Sequence, residues 1–365
     1  MTGAKTPFWS KPRREQQSYK QWVQDPGFCK NLSELFVTFG SVEPNVYCFN
    51  IDFQSRKHYQ LYCNVTQFNP VYSEYLTSAV QFFDDLGKMT ETSFAGNIFW
   101  RLEDDACMHP DHVRKLINLG HLVVAHSVHV SACRVSSFSA LVPNFHYIRT
   151  RGFRDVLERL NSRGLPFDQR RPQVFWAGST TGSPCVSNKA TCVHSCMNLN
   201  RVKLVRLAAR APWLNMSLTS ALQWCSGEED VLKNAGLFFE KMVEEEWIKY
   251  RGILDIDGNV DAWGLYWRLR SGSAVFRISS QYENFLSSRL VSGVHFVQVK
   301  RNFDDLFDVT EMVKGKHTSV AYLNLSTITK NAEALLCELT YERVIKEFAG
   351  VLQQTSSHKN STLHF

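Results

Sequence analysis

Two places in this sequence set carboxylates at the end of an apolar run, where side chains come free to do chemistry. The first is Glu103-Asp104-Asp105, directly after the strand-like run Asn97–Leu102. A strand-end carboxylate facing a cleft can take a proton from a hydroxyl, so Asp104, and after it Asp105, are candidate general bases. Capping of a helix opening near Asp111 would use the same residues. The second is Asp255-Ile256-Asp257-Gly258-Asn259, which follows a strand and precedes a helical pattern from Asp261. A glycine turn entering a helix presents free N–H groups that suit a phosphate. An ordinary β-turn-α connection with Asp261 as N-cap has the same pattern. Asp255 and Asp257 also form an Asp-x-Asp pair that could hold Mn²⁺ or Mg²⁺ under a diphosphate.

Other residues offer weaker chemistry. Cys185, Cys192, His194 and Cys196 are enough ligands for zinc but match no standard spacing, so a loop with free thiols is expected. His126 and His129 lie in the apolar run 122–130, where hydrogen-bonded core histidines are expected. Trp263 and Tyr266 read as core, although Trp263 is near enough to the glycine turn to meet a ligand.

These residues need a scaffold, and the pattern supplies one. Residues 46–53 and 58–68 alternate apolar and polar positions as a hairpin with one wet face. A helix near 73–86, strands at 97–102 and 122–130, and helices at 111–119 and 151–161 follow. After Gly164, strand-like runs at 173–178, 215–219, 250–256, 273–278 and 294–299 alternate with helical patterns at 201–210, 228–247, 261–270, 282–288 and 303–313. That alternation predicts a doubly wound parallel sheet. The expected division is 1–165, 166–330, a closing helix at 331–353 and a flexible tail at 354–365.

Composition sets the outer limits. The chain has 365 residues, 44% hydrophobic and 13% aromatic, enough for two domains and against intrinsic disorder. No apolar run approaches the ~20 residues of a membrane helix, so no membrane span is expected. The net charge of +6 is scattered, which argues against a nucleic-acid surface and is compatible with small anionic ligands. Ten dispersed cysteines read as reduced thiols. Met1–Gln17 lacks the apolar core of a secretory signal, so the cytoplasm is expected. Five Asn-x-Ser/Thr sequons, at Asn31, Asn64, Asn215, Asn324 and Asn360, leave the secretory lumen open for a truncated secretory chain.

Several short elements occur in a characteristic order. They are Val142-Pro143-Asn144-Phe145, Arg151-Gly152-Phe153, the run Val174–Gly182 (VFWAGSTTG), Asp255–Asn259 (DIDGN), Ala262–Leu269 (AWGLYWRL) with Ser271-Gly272-Ser273, Tyr282-Glu283, Val294-His295-Phe296-Val297 and Asp304-Asp305-Leu306. Over roughly 95–350 the sequence resembles the CAP10-like glycosyltransferases of family 90. That family includes protein O-glucosyltransferases and capsule- and virus-associated xylosyltransferases.

The resemblance implies a GT-B-like α/β fold and an inverting transfer of xylose or glucose from a UDP-sugar without a metal or other cofactor. It implies an Asp base at 104 or 105. The donor would meet Gly178, Ser179, Thr180, Asp257, Gly258, Asn259, Trp263, Arg268, Ser273, Glu283 and His295. The acceptor expected is a glycan rather than a protein. Two departures matter: family arginines fall at Ala177 and near Gly264, and Arg268 is the nearest replacement. They keep open a non-catalytic nucleotide-sugar- or carbohydrate-binding relative, beside the metal-dependent Asp255/Asp257 reading.

Overall fold

The computed structural model describes residues 22–24, 45–53, 60–64, 73–104, 108–131, 139–182, 195–315 and 324–361, with side chains through 354 in the last helix. Two sheets organise the chain. The first has the order β1-β3-β2-β4-β5-β7, from β1 (Trp22–Gln24), β2 (Val46–Asp52), β3 (Gln60–Asn64), β4 (Ala95–Arg101), β5 (Leu122–Ala125) and β7 (Ala140–Leu141). Here β2 pairs antiparallel with β3 and β4, whereas β4-β5-β7 is parallel. The hairpin read from alternation is therefore present in its two strands.

The second sheet is parallel throughout, in the order β13-β11-β10-β8-β9. Its strands are β8 (Arg171–Ser179), β9 (Leu214–Ser220), β10 (Tyr250–Asp255), β11 (Ala274–Ile278) and β13 (Val297–Val299). The chain leaves β8 to build β9 on one side and returns to build β10 on the other. Strand order reverses between β8 and β10, and a crevice at the carboxyl ends follows from that reversal. The fold class expected from sequence, α/β with a doubly wound C-terminal sheet, is the one observed.

Several boundaries differ from expectation. The run 122–130 breaks at His126 into β5 and β6 (Ser127–His129), and β6 pairs antiparallel with β12 (Tyr282–Asn284) of the other half. The helix expected at 282–288 is thus β12 and turns. The pattern at 228–247 yields two short helices, Glu229–Asn234 and Glu244–Trp247. Gly236, with φ of 69°, ends the first, and Phe238 bridges to β9 between them. The 261–270 helix shrinks to Leu265–Leu269, because residues 257–264 are spent on the turn. The closing helix is two, Leu325–Glu338 and Tyr341–Ser361, and the second enters the segment read as a loose tail.

The last helix returns to the first half. Tyr341 donates to Asp85 at 3.0 Å, Arg154 pairs with Glu342 at 2.9 Å and the Phe348 ring packs tilted against Phe82 with centroids 5.1 Å apart. One buried cluster therefore runs from Tyr47 and Trp100 through Phe175 and Tyr266 to Leu352, shared by both halves. A second, around Trp176, Leu254 and Phe276, belongs to the parallel sheet alone. Shared packing of this kind holds the two rims of the crevice in register.

The cysteines require a correction. Cys196 and Cys225 form a disulfide, with Cα atoms 4.8 Å apart, whereas the exposed Cys337 is a free thiol. Cys196 is therefore unavailable to the metal cluster considered with Cys185, Cys192 and His194, which lie outside the described residues.

Candidate active site

The crevice is walled by the turns after β8 and β10. Gly182 takes φ of 128°, a region open to glycine, and its N–H donates to Asn259 Oδ1 at 3.1 Å. Opposite it, a Cβ on Gly258 would stand 2.8 Å from Thr181 Oγ1 and 2.9 Å from Arg201 Nη2. Only glycine permits this close approach of the two turns.

Arg201 fastens them together. It lies in the first turn of the helix Asn200–Ala208, which follows β8. Its Nε donates to the Asp257 carbonyl (2.9 Å) and Nη2 to the Ile256 carbonyl (3.1 Å). Nη1 donates to the Ser179 carbonyl (3.2 Å) and to Thr181 Oγ1 (2.7 Å). Among the described residues none of its hydrogen bonds goes to a carboxylate. Burial lowers its pKa to about 10, helped by Arg268, against the opposing pull of Asp257 and Asp255. A buried cation held by neutral oxygens is a place where an anion gains more than it does in water. No family motif marks Arg201 in the sequence, and its role was missed there.

Arg268 supplies a second cation. It forms an ion pair with the buried Asp255, lies over the rings of Trp247 (5.3 Å) and Trp267 (5.6 Å), and lines the cleft. A side chain at Gly264 would meet its guanidinium at 3.2 Å, so Arg268 fills the space beside the position where the family arginine is absent. Arg301 enters from the loop after β13, 4.0 Å from Asp257 Oδ2.

The two sequence-derived acids of the Asp-x-Asp pair have different surroundings. Asp255 is buried between Arg268 and Arg277, the latter at 3.8 Å. Asp257 accepts from Ser280 Oγ (2.9 Å) and the Gln281 N–H (3.4 Å). Burial, reinforced by Asp261 and Asp255, raises its pKa to about 7. Asp261 is no N-cap: it is buried, accepts from Asn284 Nδ2 at 2.6 Å, and burial raises its pKa.

The Asp257 shift makes a stability statement. Its native pKa lies above the unfolded value of 3.8, so between about pH 4 and 7 the native state holds the extra proton. Stability from this group is complete below pH 4 and lost as pH rises through 7. Asp257→Asn is therefore expected to melt higher than the parent at pH 8 and to lose that advantage at pH 4, read by thermal denaturation.

The other rim carries Asp104. Of the acidic run, Glu103 is buried, paired with Arg101 and hydrogen-bonded by Asn45 Nδ2 at 2.9 Å, while Asp104 opens on the cleft. Asp105 lies outside the described residues. Tyr75 OH donates to Asp104 Oδ1 at 2.7 Å and Asn259 Nδ2 donates to Oδ2 at 2.8 Å. Around it the cleft, of about 420 Å³, is lined by Trp263 and His146, whose rings are 4.7 Å apart. That volume is in the range of small-molecule sites. Burial lowers both His146 and the fully buried His126 to about 4, so neither carries charge near neutral pH. His126 is buried as expected, but among the described residues neither ring nitrogen has the hydrogen-bond partner expected of it, whereas His129 lines the crevice, 3.3 Å from Gln281 Oε1.

The remaining expected donor contacts divide. Ser179, Asp257, Gly258, Asn259, Trp263 and Arg268 line the clefts; Thr181 and Gly182 do so where Gly178 and Thr180 were expected. Thr180 is buried, exchanging hydrogen bonds with the Leu222 backbone, and Gly178 packs on Trp176. Ser273 is buried, accepting from Arg170 and donating to the Tyr250 carbonyl, both at 2.7 Å. Glu283 sits in β12, paired with Val128, and lines neither cleft. His295 precedes β13 and accepts from the Val291 N–H at 3.0 Å, away from both. Tyr266 is core, bonded to the Leu339 carbonyl at 2.8 Å.

A parallel sheet with a cationic crevice at its switch point, facing a carboxylate across a cleft, places a ligand site where open α/β sheets carry one. The family model for glycosyl transferase family 90 matches residues 144–360, well over half of the chain, and the chain belongs to that family of glycosyltransferases. The match begins after Asp104 and does not bear on it. No curated protein sequence matches. Among solved structures, Anabaena Alr3699/HepE in complex with UDP and glucose is similar at 13% identity, over 68% of each chain, with a TM-score of 0.38. The same protein with UDP-glucose gives 13% identity over 70% of this chain and 68% of that one, TM-score 0.34. The pneumococcal O-GlcNAc transferase GtfA in complex with UDP and GlcNAc gives 7%, 67%, 54% and 0.33.

Proposed function

We propose that the protein transfers a sugar, xylose or glucose, from a UDP-sugar to a hydroxyl of a glycan. Asp104 takes the hydroxyl proton as the hydroxyl oxygen bonds to the anomeric carbon and UDP departs from the opposite face. An α-linked donor would give a β-linked product with no covalent intermediate. The observation that carries this reading is Asp104 on one rim facing Arg201 and Arg268 on the other, within one cleft.

Phosphate charge would be met by Arg201, Arg268 and Arg301 instead of a cation. This is supported by Asp255, whose carboxylate is engaged by two guanidinium groups and is poorly placed to take a metal. Turnover of UDP-glucose or UDP-xylose is expected to persist in EDTA. Loss of turnover in EDTA with recovery on Mn²⁺ addition would restore the metal-dependent reading.

The Cys196–Cys225 disulfide favours an oxidising compartment, hence the secretory lumen over the cytoplasm. No helix among the described residues is long and apolar enough to cross a membrane.

A further inference from the structure

The geometry points to Asn259 as a positioning residue that ties the catalytic base to the donor-side turns, an inference resting on the Asp104 reading above. Three groups of Asn259 are committed in three directions. Its Oδ1 accepts from the Gly182 N–H at 3.1 Å, holding the turn after β8. Its Nδ2 donates to Asp104 Oδ2 at 2.8 Å, across the cleft. Its carbonyl accepts from Tyr282 OH at 2.8 Å, anchoring it to β12, the strand that pairs with the first half.

A carboxamide has both a donor end and an acceptor end, and this site uses both. Aspartate could not donate to Asp104, and leucine could serve neither neighbour. Tyr75 holds the other carboxylate oxygen from the first half. Asp104 is thus oriented from both rims, and one of its two supports sits on the donor-side turn. A base so held is aligned by the same side chain that ties the turn after β10 to the turn after β8. Donor occupancy and base alignment are then coupled through one side chain.

The coupling separates from a plain donor contact by where the kinetic loss falls. In Asn259→Ala, kcat for UDP-glucose or UDP-xylose turnover is expected to fall about ten- to hundredfold, as misalignment of a reacting group does. UDP affinity by calorimetry is expected to change less. In an Asp104→Asn background the same substitution should leave the residual kcat within about twofold, because the aligned group is gone. Asn259→Asp, which keeps an acceptor for the Gly182 N–H but cannot donate to Asp104, should lose kcat as Asn259→Ala does. A loss confined to KM and UDP affinity, with kcat retained, would overturn the inference and leave Asn259 a donor contact. If neither sugar nucleotide is turned over, a UDP affinity that responds to Asn259→Ala identically with Asp104 or Asn at 104 would likewise overturn it. Full activity of Asp104→Asn would instead overturn the base assignment itself.

Discussion

Asp104→Asn is expected to lower UDP-sugar turnover by about 10²–10⁴-fold, the usual contribution of a general base. The substitution is isosteric, and the amide oxygen can still accept from one of the two donors, Tyr75 or Asn259, that now hold the carboxylate. The fold should therefore survive, and thermal denaturation checks that it does. UDP affinity should stay within about threefold, because the cations that would meet phosphate stand on the opposite rim. Loss of kcat with retained UDP binding is the signature of an interaction made in the transition state. Equal loss of both would instead make Asp104 a structural residue.

Arg201→Lys should produce the second large effect, on the donor side. An ammonium keeps the charge but cannot reach four acceptors spread over Ser179, Thr181, Ile256 and Asp257. The buried carbonyls left without a donor cost about 1–3 kcal/mol each. UDP affinity by calorimetry is expected to fall about tenfold or more, as the turns holding the phosphate loosen. A melting temperature several degrees lower should accompany it. Unchanged UDP affinity would show that the phosphate charge is met elsewhere, by Arg268 and Arg301.

How much of this the sequence discloses depends on the kind of interaction. The parallel sheet is legible because strand-like runs separated by helical patterns recur from residue 173 onward. Asp104 and the Asp257–Asn259 turn are legible because they end such runs, where side chains escape the sheet. Arg201 is not, because three of its four partners are backbone carbonyls, which carry no residue signature. Glu283 and His295 fail for a related reason. Their residues look right for a donor pocket, but the expected helix at 282–288 is the strand β12, and the strand expected at 294 begins only at Val297. The break at His126 is equally silent, since the pairing of β6 with β12 is a contact between distant segments. The Cys196–Cys225 bridge spans two turns that no spacing rule connects.

Direct displacement at the anomeric carbon by an oxygen that Asp104 deprotonates is the centre of this account. Hydrolysis of UDP-α-glucose followed by proton NMR, before the released sugar equilibrates, tests it without an identified acceptor. Water, activated in place of the acceptor hydroxyl, should give β-glucose first, and Asp104→Asn should abolish that signal. α-Glucose as the first product would contradict direct displacement.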